Sequence, residues 1–472
     1  MVIGLGLFVV GMVAGRSKFV PFFGPTGPFI TWDADLTART AVRVARAAAF
    51  LSGVGLVGVL WALRRGWAGV SPRVLMLGGA VAAAVLAVVP PAGSIDILNY
   101  AIYGRIADLG FDPYSMTPDQ LRAAHDPVGL LGPGSWGDQP TVYGPVATAV
   151  QTAAARLGGA SMGWILFWLK VFNAAAFLAT AMMLDRIAGA ERRVRIRAAV
   201  LWTANPLMLF WMVGSGHADV LAVTLFIGAV CVLWFGLRQS WPGVWLGLGA
   251  GVLAGGAVLV KVTFAVPLIG LGIACLKRPA VVAWGAGGAA VTAGIAYLGI
   301  GRTAVSSLTE RMAHAGDLFL PVPSVLLDRP LLYTATMAAA MGAVAVLVWW
   351  RVRDESPALP RGTLDLRPVA ACAIACVVVS PVQYPWYNAA FIPVLALLGA
   401  TRFDEAIVLR ATVLSCILLP GIGTSRLQLD GVAVAAPFFL VALMALALVP
   451  TRRIRLPETF EPDRTKSTAQ MR

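Results

Sequence analysis

Apolar residues recur along this chain in runs of about 20, separated by short polar or arginine-bearing stretches. None of the runs alternates with the period of two that an outer-membrane barrel strand needs, so they read as helices whose backbones satisfy themselves inside lipid. They fall at roughly 2–15, 42–63, 73–92, 163–184, 198–214, 218–236, 243–260, 262–276, 281–300, 331–350, 368–383, 386–401, 406–423 and 431–450, about fourteen spans. The pattern predicts an all-α polytopic bundle of about 13–14 transmembrane helices.

Basic residues set the parity. Arg64, Arg65 and Arg73 follow the second run, and Arg186, Arg192, Arg193, Arg195 and Arg197 follow the fourth. Arg238, Lys277 with Arg278, Arg351 through Arg367, Arg402 with Arg410, and the tail from Arg452 come later. All of them share one side, the cytoplasm, provided Thr141–Gly158 does not cross. That stretch is therefore expected to be a helix lying at the outer surface, stiffened at its start by Tyr143-Gly144-Pro145. The opposite, extracytoplasmic side collects Asp33 and Asp35, the long segment 92–163, Gly214 through Asp219, Lys261, the loop 301–330, Ser380 through Asn388 and Arg426, with all three histidines, His125, His217 and His314, among them.

Composition agrees. Of 472 residues, 58% are hydrophobic and 13% charged, and mean hydropathy is +0.79. A soluble domain this apolar would leave more greasy surface than its interior could hide. The net charge of +14 lies in short loops between spans, where it anchors topology beside anionic lipid, and no basic-aromatic domain outside the membrane supports nucleic acid as a partner. Cys231, Cys275, Cys372, Cys376 and Cys416 all fall in apolar runs without zinc-site spacing. The N-terminus lacks a basic region and reads as a first span, not a cleaved signal. Residues 1–450 form one membrane domain with an outer loop at 92–162, and 451–472 form a polar cytoplasmic tail.

Chemistry concentrates where the third run surfaces. Asp96, Tyr100 and Tyr103 are spaced i, i+4, i+7, so a helical continuation puts them on one face. A carboxylate at that depth is partly desolvated, which raises its pKa and improves it as a base. Arg105 and Asp108 are three apart, a surface-pair spacing, and Asp112 before Pro113 is either a loop-shaping turn acid or a substrate contact. His217 and Asp219 follow Gly214-Ser215-Gly216 between two runs; Asp219 is either a site residue or an acid favoured by a helix start.

Lys261 is a cation inside an apolar run, either snorkelling or gripping a phosphate, and the second is favoured; Arg302, Arg311 and Arg426 are weaker choices for that role. Ser380 through Asn388, with Tyr384, Trp386 and Tyr387, is either an interfacial belt or a cavity wall, and its two prolines favour the wall. Asp33-Ala34-Asp35 spells a DxD pattern used for metals by nucleotide-sugar enzymes, but Asp35 can equally cap the next helix. No cofactor is required; a divalent metal is a minor alternative.

In order, Asp96…Tyr100…Gly104-Arg105…Gly110-Phe111-Asp112-Pro113-Tyr114, Tyr143-Gly144-Pro145, Asn205-Pro206, Gly216-His217-Ala218-Asp219, Lys261 and Ser380-Pro381…Tyr384-Pro385-Trp386-Tyr387 span most of the chain. This series resembles the polyprenol-phosphate-mannose-dependent mannosyltransferases of the GT-C class found in actinobacteria, which build the mannan core of lipomannan. The resemblance implies a plasma-membrane enzyme whose donor is a polyprenyl-phosphate-mannose and whose acceptor is a lipid-linked glycan, joined on the outer face by an α-1,6 linkage. It implies Asp96 as base, Lys261, Arg302 and Arg426 at the donor phosphate, and Tyr100, Tyr103, Arg105, Asp112, Tyr143, His217, Asp219, Tyr384, Trp386 and Tyr387 around the substrates. One departure is the outer segment 16–41 ahead of Asp96, which keeps Asp33 and Asp35 as alternatives for the base. Transfer of arabinofuranose, a flippase or transporter, and a scaffold subunit are the competing readings. A transporter favours midplane sites and related halves, whereas here the polar residues crowd one face and no duplication is visible.

Overall fold

Hydroxyl and proline residues mark where the helices begin. After α1 (Val2–Val13), the Thr37 hydroxyl accepts a bond from the Thr40 amide at 3.3 Å and opens α2 (Ala38–Arg64). Proline in the first turn opens α3 (Pro72–Val88), after which the chain breaks and starts again as α4 (Asp96–Asp108). A reciprocal Thr117–Gln120 cap begins α5 (Pro118–Ala123), and Pro145 begins α6 (Pro145–Gly158). The computed structural model describes residues 1–25, 27–134, 136–300, 330–352, 364–380, 383–400 and 402–419.

Ser161 caps α7 (Met162–Ala188), followed by α8 (Arg192–Leu201) and α9 (Pro206–Leu209), which widens into a π turn at Phe210–Gly214. Then come α10 (Asp219–Arg238), α11 (Gly243–Val260), a 3-10 turn at Val262–Phe264, α12 (Ala265–Ala274) and α13 (Pro279–Ile300). The described chain continues with α14 (Pro330–Val352), α15 (Arg367–Val379), a 3-10 turn at Pro385–Ala390, α16 (Ile392–Ala396) and α17 (Arg402–Leu418). Every regular element among the described residues is a helix.

Among the described residues, six helices (α2, α7, α10, α11, α13 and α14) are long and apolar enough to cross a membrane. A bent pair passes the same test together: α8 and the α9–π segment meet at 43°. Asn205 makes the bend tolerable, accepting from the Leu207 and Met208 amides (3.0 and 3.2 Å) and donating to the Leu201 carbonyl (2.9 Å). The run expected at 198–214 is thus bent, because Pro206 cannot donate to the helix ladder. The helix expected at 386–401 is likewise replaced by a 3-10 turn and the five-residue α16, each with a proline in its first turn. Four shorter apolar helices, near 2–13, 72–88, 262–274 and 367–379, account for further expected runs. The run at 431–450, the loop 301–329, His314, Arg311 and the tail lie outside the described residues.

In lipid the apolar effect does not join helices, so close packing must. Glycines supply it between α11 and α13: a methyl at Gly251 would stand 2.1 Å from the Gly285 carbonyl oxygen. The expected surface helix α6 packs on α4 and α7 and is not among the spanning helices.

Two buried arginines fix α17. Arg197 forms a two-pronged ion pair with Asp404 (2.8 and 2.7 Å) and also donates to the Ala396 carbonyl at 3.2 Å and that of Leu398 at 2.6 Å. Arg410 corrects the expectation that it sits in a cytoplasmic loop. It stands two turns into α17, 1% exposed, with its guanidinium donating to the side-chain oxygens of Gln383 and Asn388. Those amides satisfy the charge where water cannot.

Candidate active site

One face of α7 carries two polar side chains, Lys170 and Asn173, spaced i, i+3. Lys170 is fully buried and donates to the Val89 carbonyl at 2.5 Å. Asn173 donates to the carbonyls of Met212 and His217, both at 3.2 Å. The first bond holds the α3–α4 linker, and the second holds the loop between the π turn and α10. The Ser215 hydroxyl stitches the two segments together by donating to the Ala92 carbonyl. Gly93 (φ 78°) lets the linker pass beneath Phe210, whose ring atom would stand 2.7 Å from any added Cβ.

Asp96 emerges from this linker as the first residue of α4, with its amide donating to the Ser94 hydroxyl at 3.2 Å. It therefore begins its own helix and does not end the third span. Its side chain keeps 27% of its surface open, and Oδ2 lies 3.7 Å from His217 Nδ1. Desolvation lifts the carboxyl to about 6; the Lys261 charge opposes this, Asp219 adds to it, and the Ser94 hydroxyl lowers it slightly. His217 is fully buried, and neither ring nitrogen has a hydrogen-bond partner among the described residues. Burial, then the Lys261 charge, hold its pKa well below the ordinary value, so the imidazole is neutral. Trp386 stacks on His217 (3.8 Å between centroids) and on Tyr384 (4.3 Å).

Lys261 stands where α11 breaks into the 3-10 turn, with extended backbone angles (φ −149°, ψ 116°). Its Nζ is 2.6 Å from Asp219 Oδ1 and 3.9 Å from the centre of the Tyr387 ring. Asp219 opens α10, where the helix dipole favours its charge, and among the described residues its buried Oδ2 has no partner. The structure thus brings Asp96, His217, Asp219, Lys261, Trp386 and Tyr387 together at one end of the bundle. Such a cluster can take a proton at Asp96, and its cation can face an anion.

The remaining expected residues divide. The Tyr100 and Tyr143 hydroxyls lie 2.7 Å apart, and Tyr103 donates to the Gln139 carbonyl at 3.1 Å, so the α4 face is covered by segment 139–143. Burial raises both phenols of the first pair well above their ordinary range, and they stay protonated. Arg105 is engaged by Asp126 (3.1 Å) and Asp108 (3.3 Å). Asp112 Oδ1 accepts from the Tyr114 amide at 2.9 Å, the turn-shaping geometry. Asp33 and Asp35 sit in an irregular segment with left-handed φ of 48° and 42°. Among the described residues no three His, Cys, Asp or Glu side chains converge to hold a metal. Arg302, Arg426 and Pro381 lie outside the described residues.

Lys170, Asn173, Ser215 and Arg410 were not singled out as site-supporting residues by sequence reasoning. For Lys170 a signal existed: a lysine in mid-run is costly and rarely idle.

Fold and cluster together define a polytopic, all-helical membrane protein with a mixed acid–cation site at one end of its bundle. The family model described as "Alpha-(1->6)-mannopyranosyltransferase, N-terminal domain" matches residues 2–277, and the chain belongs to that family. It is 24% identical over 363 residues to alpha-(1->6)-mannopyranosyltransferase B of Corynebacterium glutamicum, covering 69% of this chain and 59% of that protein. It is also 25% identical over 390 residues to alpha-(1->6)-mannopyranosyltransferase A of the same organism, covering 71% and 73%. A probable alpha-(1->6)-mannopyranosyltransferase of Mycolicibacterium smegmatis is 24% identical over 429 residues, covering 80% and 74%. No solved structure matches the chain. Asp96, His217, Asp219 and Lys261 all fall within the matched 2–277 region.

Proposed function

We propose that the protein is an α-1,6-mannosyltransferase that moves a mannosyl residue from a polyprenyl-phosphate donor to a lipid-linked mannoside at the extracytoplasmic face of the plasma membrane. Asp96 Oδ removes the proton from an acceptor hydroxyl, and the resulting oxygen attacks the anomeric carbon. The bond from that carbon to the phosphate oxygen breaks, and its electron pair leaves with the phosphate. Lys261 meets the charge that gathers there, and Arg302 and Arg426 are the further cations assigned to it. One displacement inverts a β-linked donor to an α-linked product. A carboxyl near 6 suits the task, being ionised at pH 7 yet more basic than an ordinary aspartate. Tyr100, Tyr103 and Tyr143 line the approach, with Tyr384, Trp386, Tyr387, His217 and Asp219 flanking the sugar; Arg105 and Asp112 shape the loop that closes over it.

The observation that carries this reading is the meeting of Asp96 and Lys261, from elements far apart in sequence, close enough for the Lys261 charge to act on the Asp96 carboxyl. The test uses purified protein in detergent with radiolabelled polyprenyl-phosphate-mannose and a lipid-linked mannoside. Wild type transfers label; Asp96→Asn, folded, does not. Full transfer by that variant removes Asp96 as base. Label taken from the arabinofuranosyl donor instead removes mannose, and movement of intact donor across vesicles without transfer favours a flippase.

A further inference from the structure

Lys261 already has a carboxylate partner, and that pair has a consequence for turnover. Its ammonium is 14% exposed and its bond to Asp219 Oδ1 is 2.6 Å. A lysine this buried would be costly without a counter-ion. We propose that Asp219 is an exchange partner for the leaving group: it holds Lys261 when no phosphate is present and takes it back to expel the spent polyprenyl phosphate. This rests on the reading of Lys261 as the cation that meets the donor phosphate.

The charges explain why an exchange is needed. The sugar-linked donor is a phosphodiester with one negative charge, and breaking its bond to the anomeric carbon leaves a monoester with up to two. Lys261 therefore holds the product more tightly than the donor, which aids the transition state but hinders release. A carboxylate beside the ammonium counters that hold. Asp219 suits the task because it opens the 20-residue α10, where the N-terminal dipole favours a negative charge. Its second oxygen, Oδ2, is buried with no hydrogen-bond partner among the described residues. Lys261 has the Tyr387 ring 3.9 Å away as a second resting surface, and its backbone lies outside both flanking helices.

The test is a titration of tryptophan fluorescence, since Trp386 and Trp211 lie in the cluster, with geranyl phosphate and separately with inorganic phosphate, in detergent micelles. Asp219→Asn is expected to bind geranyl phosphate about tenfold more tightly than wild type, the scale of one charged hydrogen bond. Its turnover becomes release-limited, with a burst of one product per enzyme. Asp219→Ser gives the same result should the amide fail to fold. Lys261→Met abolishes the binding in either background. Equal or weaker binding by both Asp219 variants, while Lys261→Met still weakens binding, overturns the exchange but leaves the phosphate reading intact. Binding indifferent to Lys261 overturns that reading first. Equally tight binding of inorganic phosphate shows an anion site with no claim on the lipid, and also counts against the exchange.

Discussion

Replacing Asp96 by asparagine should separate activity from stability in opposite directions. The carboxyl moves from an ordinary 3.8 to about 6 in the folded protein, mostly because it is desolvated. The folded state therefore holds the proton more tightly than the unfolded one. The ionised acid costs folding free energy at all pH values above about 6, and the cost fades as pH falls toward 4. Two pKa units correspond to about 3 kcal/mol, and the 27% of the side chain left open reduces this to roughly 1–3 kcal/mol. Asparagine is neutral at every pH and keeps the amide-sized shape, so it should be more stable than wild type by that amount at pH 8 and equal to it at pH 4. The midpoint of SDS-induced unfolding of both proteins at the two pH values measures this. Transfer of label should meanwhile fall by about 10² to 10⁴, the usual worth of a general base. A variant no more stable than wild type at pH 8, or a gap that persists at pH 4, refutes the desolvation argument. The wild-type rate should itself climb with pH through about 6 as the base ionises.

Three further variants probe the supports. Lys170→Met removes the donor to the Val89 carbonyl, so the linker carrying Asp96 slackens; kcat should drop about tenfold with donor KM nearly unchanged, and Lys170→Arg should recover part of it, as steady-state rates will show. Arg197→Met leaves Asp404, 2% exposed, without its partner and should cost about 3–5 kcal/mol in detergent unfolding, whereas the double change with Asp404→Leu should cost clearly less; purely additive losses would count against a coupled pair. Gly104→Ala places a methyl 2.2 Å from the Gln151 carbonyl oxygen and should cost about 1–3 kcal/mol by prying α4 from α6, while Gly78→Ala, with no atom within 4 Å, should be neutral in the same unfolding assay.

What the sequence made legible, and what it hid, follows from range. Asp96, Tyr100 and Tyr103 could be read because helical spacing is local, and α4 realises it. His217 and Asp219 stood out because a glycine-rich break between two runs is also local. Their meeting with Lys261 and Trp386 was not deducible from spacing, since each lies on a different helix or turn. Two basic side chains inside helices were harder to read. Hydropathy averaging dilutes one lysine in the 27 residues of α7, and parity counting treats Arg410 as one more loop arginine.

Both side chains instead sit inside the bundle, and each spends its hydrogen bonds on groups more than twenty residues away: Lys170 on Val89, Arg410 on Gln383 and Asn388. The bonds have a common target. Val89 belongs to the linker that presents Asp96, and Gln383 and Asn388 bracket the turn that presents Tyr384, Trp386 and Tyr387. Irregular backbone at membrane depth must find its hydrogen bonds within the protein, and a buried amine or guanidinium supplies donors that hold such a segment in place. A basic residue two turns inside an apolar helix is therefore better read as a tether for a nearby broken segment than as a topology signal. In this chain the broken segments so held are the ones that carry the candidate site.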